Sequence, residues 1–487
     1  MKPNRTESSE ETTDKTQPGL VRWALTGLAL SMLLSSLGIS IANIALPTLA
    51  QAFTASFQDV QWVIIAYLLA VTILIVSAGR LGDIIGHRRM LLIGILLFTL
   101  ASVLCSIAPT LWMLVVARAV QGLGAAILMA LTIALVRATV PKKKTGRAMG
   151  LLGTMSAIGT ALGPTLGGIL IAGPGWRAIF LIMVPLGIVN FMLAYRFLPI
   201  DRKITRKARG GFDLLGTLLL GLTLASYALA VTVGDGQFNQ LNIALLLAAA
   251  AGLVVFIFAQ TKVASPLIQL ATLRNQQLSA SLIMNILVAT VMMATLVVGP
   301  FYLYHAHGLN EAVVGIVMSI GPIIAALSGV PAGHMVDRLG APFIVILGLA
   351  TMALGSFALS GLPVMFGTAG YIAAIAILTP GYQLFQAANN TTVMMDISPD
   401  QRGAISGMLS LSRNLGLITG ASVMGAVFAF ASMTTDITLA SPEAVTQGMR
   451  ITFAVAGVLV VVALGIALGS GVLAKRASSD EQRSGAA

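Results

Sequence analysis

Residues 78–88 read Ala-Gly-Arg-Leu-Gly-Asp-Ile-Ile-Gly-His-Arg, and 254 positions later residues 332–342 read Ala-Gly-His-Met-Val-Asp-Arg-Leu-Gly-Ala-Pro. Ala78, Gly79, Asp83 and Gly86 recur as Ala332, Gly333, Asp337 and Gly340. A second series follows at an offset of 257: Gly146, Gly150, Gly159, Gly163 and Gly168 recur as Gly403, Gly407, Gly416, Gly420 and Gly425. In a chain with 50 glycines single coincidences are expected. An ordered series with one small slip instead marks an internal duplication.

The duplicated segments sit among long apolar blocks. The 487 residues are 57% hydrophobic and only 9% charged, with a mean hydropathy of +0.93. A soluble protein carries roughly 25% charged residues. The apolar material falls in fourteen blocks between residues 22 and 474. Each is about 20 residues long, enough to cross a hydrocarbon core of about 30 Å as a helix. The blocks lack the two-residue alternation of a barrel wall. The expected fold is an all-α polytopic membrane protein of 14 transmembrane helices. The first repeat follows the second and tenth spans and the second repeat occupies the fifth and thirteenth. The chain therefore reads as two six-helix halves, 22–198 and 278–474, with a basic linker and two inserted helices over 199–277. Polar tails over 1–21 and 475–487 complete it. Parallel halves with a site at their interface describe an alternating-access transporter.

Net charge is +12, which by itself would suggest nucleic acid. Alternating sides across fourteen spans places 25 of the 29 Lys and Arg on the side of the termini. This is the positive-inside pattern of a lipid-embedded chain with both termini cytoplasmic, and no nucleic-acid partner is implied. The expected localisation is the inner membrane, and the chain reads as a monomer acting on a small molecule. The first apolar block is too long for the core of a cleavable signal. One cysteine, Cys105, excludes an intrachain disulfide, and four histidines with no HExxH leave no metal site or membrane enzyme in view. No phosphate-binding loop exists for an ATP-driven pump.

The segment Gly79–Arg89 is expected as a tight turn, with Gly79, Gly82 and Gly86 permitting it and Asp83 set among Arg80, Arg88 and Arg89. Such a cluster can latch two bundles in one state and release in the other. A solvated charged loop is the bland alternative, weakened by the recurrence at Asp337 and Arg338. In the fifth span, Gly159, Gly163, Gly167 and Gly168 surround Pro164. Small residues at four-residue spacing allow close helix approach, and the proline bends the helix. Polar stripes suggest a cavity lining: Ser36, Ser40 and Asn43 on the first helix, and Gln383, Gln386 and Asn390 on the twelfth. Trp62, Tyr67, Asn285, Asn389 and the nearby methionines add surface suited to a permissive site. Two arginines, Arg118 and Arg413, lie within spans, whereas none of the 17 acids lies near a span centre. An unpaired cation there costs a few kcal/mol, so Arg413 should face a cavity, a substrate anion, or acceptors such as Asn389 and Asn390.

Segment 79–89 resembles motif A of the major facilitator superfamily. Arg118 with Gln121 and Gly122 resembles its motif B, and Gly159 to Gly168 resembles the motif C associated with antiporters. Ile44-Ala45-Leu46-Pro47, Gln61-Trp62, Tyr67, and Arg413 to Gly416 after Asn389-Asn390 are similar to the fourteen-helix drug:proton antiporter branch. The resemblance implies that Asp83 with Arg80 and Arg88 is the conformational latch, with Asp337 its counterpart. It implies that Arg118 is linked to proton transfer or substrate, and that Gly163 and Pro164 shape a hinge favouring export. The branch places an Asp nine residues before Pro47, where this chain has Gly38. No cofactor is expected, and the proton is the expected coupling ion, with Asp59 its best remaining carrier. Proton-coupled efflux of amphipathic drugs or small metabolites is the expected activity; an importer or facilitator of one metabolite on the same fold is the alternative.

Overall fold

A computed structural model of the chain describes residues 18–140, 145–199, 213–233, 239–263, 275–395, 402–433 and 440–484. The polar tail 1–17 and most of the basic linker, 200–212, lie outside the described residues, as do the side chains of Arg80 and Asp83.

Among the described residues, sixteen helices make fourteen crossings. The first crossing is α1 (Pro18–Ile44) continued by α2 (Leu46–Phe53); it breaks at Ala45 because Pro47 fits only the first turn of a new helix. Then come α3 (Phe57–Ile85), α4 (His87–Ile107), α5 (Leu111–Thr139) and α6 (Thr145–Ala172). The short α7 (Ala178–Leu181) leads into α8 (Met183–Phe197) to close the first half. The inserted pair is α9 (Leu214–Thr232) and α10 (Gln240–Lys262). The second half holds α11 (Gln276–Phe301), α12 (Glu311–Leu339), α13 (Ala341–Met395), α14 (Arg402–Thr419), α15 (Gly425–Ala431) and α16 (Pro442–Ser484).

Thirteen of these segments are long and apolar enough to cross a membrane, and one of them, Ala341–Val393, is 53 residues long. At 1.5 Å per residue that is about 80 Å, two membrane thicknesses. Gly367, at φ 57°, folds α13 back on itself. Gly348 lies against Phe385 and Gly355 against Leu378, so the two arms run antiparallel as the eleventh and twelfth crossings. An even number of crossings puts the start of α1 and the end of α16 on one face, called here the terminal face; the other is the far face.

The repeats superimpose as contacts. Gly159 and Gly163 bring α6 onto α1, where a Cβ would meet the Leu33 carbonyl and Ser40. Their copies Gly416 and Gly420 bring the thirteenth crossing onto α11, against the Ile286 and Thr290 carbonyls. The turn expected over 79–89 is shorter than its glycines suggested. Helix α3 runs through Ile85 and α4 starts at His87, so only Gly86 departs from helix. Gly82 is helical and serves close packing instead, because a Cβ there would stand 2.6 Å from Leu131. Gly86 (φ 108°, ψ 132°) and its copy Gly340 (φ 84°, ψ 142°) share a backbone conformation that side chains resist. Gly86→Ala and Gly340→Ala are each expected to destabilise by about 1–3 kcal/mol. The reading is a lower unfolding midpoint in detergent, and an unchanged midpoint would show that the turn relaxes freely.

The inserted pair is anchored by one buried acid. Asp213 caps α9 by accepting from the Gly216 amide at 2.7 Å and from Gln260 Nε2 of α10 at 2.7 Å. Helix α9 then bridges the halves, through Ser77–Thr217 at 3.1 Å on one side and Tyr227–Thr419 at 3.1 Å on the other.

Candidate functional site

The two halves meet toward the far face by paired small-residue contacts. Gly168 of α6 lies against the Glu311 carbonyl and Gly315 of α12. Gly425 of α15 lies against Gln61 of α3. Residues 168 and 425, and 61 and 315, are repeat equivalents, so the closure carries the internal two-fold symmetry of the duplication. Phe57 adds rings at 4.7 Å from Phe301 and 5.5 Å from Phe428. Gln51 Nε2 donates to Tyr304 Oη at 3.4 Å, and Thr165 pairs with Ser319.

On the terminal side of this closure lies a cavity of about 520 Å³. Helix α6 walls it with Gly153 to Thr160, α12 with Val317 to Val330, and α13 with a stripe of Tyr371, Ile375, Thr379, Tyr382 and Gln386. Helix α11 adds Met292 and Thr295, and α14 adds Arg413 and Leu417. Arg413 is exposed to this space and makes no hydrogen bond or ion pair among the described residues. Gln386 Oε1 is buried without a partner. Gln383 completes the wall beside it.

The other expected lining residues sit elsewhere. Ser36, Ser40 and Asn43 are buried: Ser36 pairs with Ser156 of α6 at 2.7 Å, Ser40 donates to the Gly159 carbonyl at 3.0 Å, and Asn43 donates to the Ile39 carbonyl of its own helix at 3.3 Å. Ser36 and Ser40 therefore hold α6, and through Ser156 they touch the wall from behind. Asn285 joins α11 to α14 through Ser412 and the Leu409 carbonyl, and Asn389 donates to the Ser281 carbonyl. Asn390 is exposed, outside the lining, and Trp62 packs against the core. Tyr371, Thr379 and Tyr382 of the α13 stripe were missed in the sequence. Their spacing of 371, 375, 379, 382 and 386 is a helix face that continues the Gln383–Gln386 signal upward.

Arg118 is fully buried between α1, α3 and α5. Its Nε donates to the Val63 carbonyl at 2.9 Å, and Nη1 to the Gly38 carbonyl at 3.0 Å and Gln121 Oε1 at 2.5 Å. The guanidinium lies 4.2 Å above the Tyr67 ring, and Tyr67 Oη donates to the Ser35 carbonyl. Asp59 is half-buried at the start of α3, where Ser56 Oγ donates to its carboxylate at 2.8 Å and caps its amide. Asp337 and Arg338 are exposed at the end of α12. Arg88 Nη2 donates to the Tyr195 carbonyl of α8 at 2.5 Å. At the far face His307 Nε2 lies 2.8 Å from Tyr302 Oη, and burial holds its imidazole below the ordinary value.

Comparison with known proteins agrees with this architecture. A family model described as the Major Facilitator Superfamily matches residues 28–421. The chain is 31% identical to the multidrug resistance protein Stp of Mycobacterium tuberculosis, over 83% of its own length and 75% of that protein. It is 30% identical to the riboflavin transporter RibZ of Clostridioides difficile, over 82% and 87%. The crystal structure of the nucleoside transporter NupG superimposes with a TM-score of 0.66 at 14% identity, covering 92% of this chain and 99% of that one.

Proposed function

The chain belongs to the Major Facilitator Superfamily, and we propose that within it this protein is a secondary exporter of amphipathic small molecules across the inner membrane. One observation carries the reading: a cavity between the two repeat halves, which among the described residues close on each other toward the far face. A site reached from alternate sides needs that arrangement. With the basic face cytoplasmic, the cavity stands on the loading side for export. The monomer is the working unit, since one chain supplies both walls. Segment 79–89 and its copy at Asp337 and Arg338 serve as the cytoplasmic latch, and Gly159 to Gly168 as the hinge. Energy comes from the proton motive force, by proton antiport or by the voltage that proton pumping maintains.

Inverted membrane vesicles test this. Energised vesicles containing the chain are expected to accumulate amphipathic dyes in their lumen, with collapse on adding a protonophore. Uptake of one metabolite into intact cells, with no export across a broad dye panel, would overturn it. That second reading, a dedicated metabolite carrier, is favoured by the 30% identity to a riboflavin transporter.

A further inference from the structure

The charge balance of the cavity identifies a substrate class. Arg413 is the one charged side chain in the described lining. Around it stand hydroxyls and amides, among them Thr379, Tyr382, Gln383 and Gln386, and an apolar floor that includes Met292 and Leu417. A guanidinium held within a span without an acceptor is costly, so its charge must be met somewhere in the transport cycle. Among the described residues no acid meets it. The acids whose side chains are described sit at helix ends: Asp59, Glu311 and Glu443 at the far face, Asp213 as the cap of α9, and Asp337 at the terminal face. Rigid-body rocking of the halves does not carry these helix-end carboxylates to Arg413, eleven residues past Arg402 at the terminal-face start of α14.

From this we infer that the counter-ion of Arg413 arrives with the ligand. The substrate is an organic anion with a flat apolar body, and its carboxylate, sulfonate or phosphate pairs with Arg413 while its body lies against Tyr371, Tyr382 and Met292. The inference rests on the exporter reading above and sharpens it. It also supplies a driving force that needs no proton carrier on the protein. The net charge moved in a full cycle is that of the substrate alone, because Arg413 returns with the empty protein. A cell interior is negative, so an outgoing anion runs down the membrane potential. At ~2.3 kcal/mol per elementary charge per 100 mV, a monoanion reaches a gradient of roughly 50-fold at 100 mV. Cations run the opposite way and are repelled by Arg413 as well.

The test uses the full chain in proteoliposomes at equal pH inside and outside, with a potassium diffusion potential set by valinomycin. Three probes share one ring and differ in charge: 2-naphthoate, 2-naphthamide and 2-naphthylmethylammonium. The expected result is protein-dependent movement of naphthoate toward the positive side, reversing when the potential is reversed, with no protein-dependent movement of the cation. Arg413→Gln is expected to raise the naphthoate half-saturation about 30-fold or more, as loss of a charge partner inside a binding site does, while Arg413→Lys keeps the anion preference. Binding of the neutral amide, followed by tryptophan quenching, should change less than about threefold in both variants, which shows the cavity intact. Movement of the cation in preference to the anion would overturn the anion assignment while leaving an exporter in place. Naphthoate movement that needs a pH gradient and ignores voltage would overturn the driving force. Failure of all three probes to bind or move would overturn the exporter reading with it.

Discussion

Gly168→Val is expected to reduce transport at least about tenfold while both six-helix halves stay folded. A Cβ at residue 168 would stand 2.5 Å from the Glu311 carbonyl oxygen and 3.0 Å from Gly315 Cα. Both neighbours are backbone, so neither can swing aside as a side-chain tip would. The clash lies between α6 and α12, which belong to different halves, and is relieved by parting the halves at the far face rather than by unfolding either one. Packed interfaces switch between discrete arrangements, so a penalty of about 2 kcal/mol shifts the balance between closed and open far faces roughly 30-fold. The reporter is a thiol placed at Ser319, on the α12 face that meets Thr165 of α6 across the closure. The one native thiol, Cys105, is buried, so labelling by a membrane-impermeant maleimide reports residue 319. Added to Ser319→Cys, Gly168→Val should raise labelling from the far side. Gly425→Ala is the milder control, because its Cβ would meet the end of the Gln61 side chain, which can move. Unchanged labelling together with full transport in Gly168→Val would show that the far-face contact is incidental.

That contact also shows how much of the molecule the sequence carried. The glycine series at 159, 163 and 168 with its copy at 416, 420 and 425 fixed the duplication, the order of the halves and the helices that approach closely. Fourteen crossings were legible from apolar block length alone, including the pair that α13 merges across Gly367. The partners of the polar residues were not legible. Ser36, Ser40 and Asn43 share a helix face, as their spacing requires, yet that face meets α6 rather than open space. A helix face is a local property, whereas what it faces depends on where a helix more than a hundred residues away is laid. Gln383 and Gln386 fell on the cavity because their face continues one that already carried Thr379 and Tyr371. Arg118 and Arg413 are alike in sequence context, both being cations inside spans. Their surroundings part them: one is sealed among carbonyls and the other is open to the cavity.

Arg118→Ala is expected to lower stability by about 3–5 kcal/mol, the scale for emptying a large buried site and orphaning a polar partner. Arg118 ties three helices: it sits on α5, donates to Val63 of α3 and Gly38 of α1, and is braced by Gln121. Lysine is not expected to replace it, because one ammonium can neither fork toward both carbonyls nor lie flat over the Tyr67 ring. The unfolding midpoint in detergent reads this loss. A double-mutant cycle with Gly38 separates charge from packing. Arg118 Nη2 is buried without a partner and Nη1 donates to the Gly38 carbonyl, so an acid at position 38 is expected to pair with the guanidinium. Space there is tight, since a Cβ would lie 3.1 Å from Tyr67 Oη and 3.3 Å from the Phe98 ring, but both contacts are to side chains. Gly38→Asp alone should therefore be tolerated, whereas Gly38→Asp with Arg118→Ala leaves a buried carboxylate uncompensated and should fall well below the sum of the two losses. A coupling of at least about 2 kcal/mol is expected for a charge pair in such surroundings. The same Gly38→Asp variant should acquire a response to a pH gradient, because it places on α1 an acid that the span interiors otherwise lack. If the two stability losses simply add, Arg118 acts through its bulk alone, and the carbonyl and ring contacts around it do not hold a charge that a carboxylate can meet.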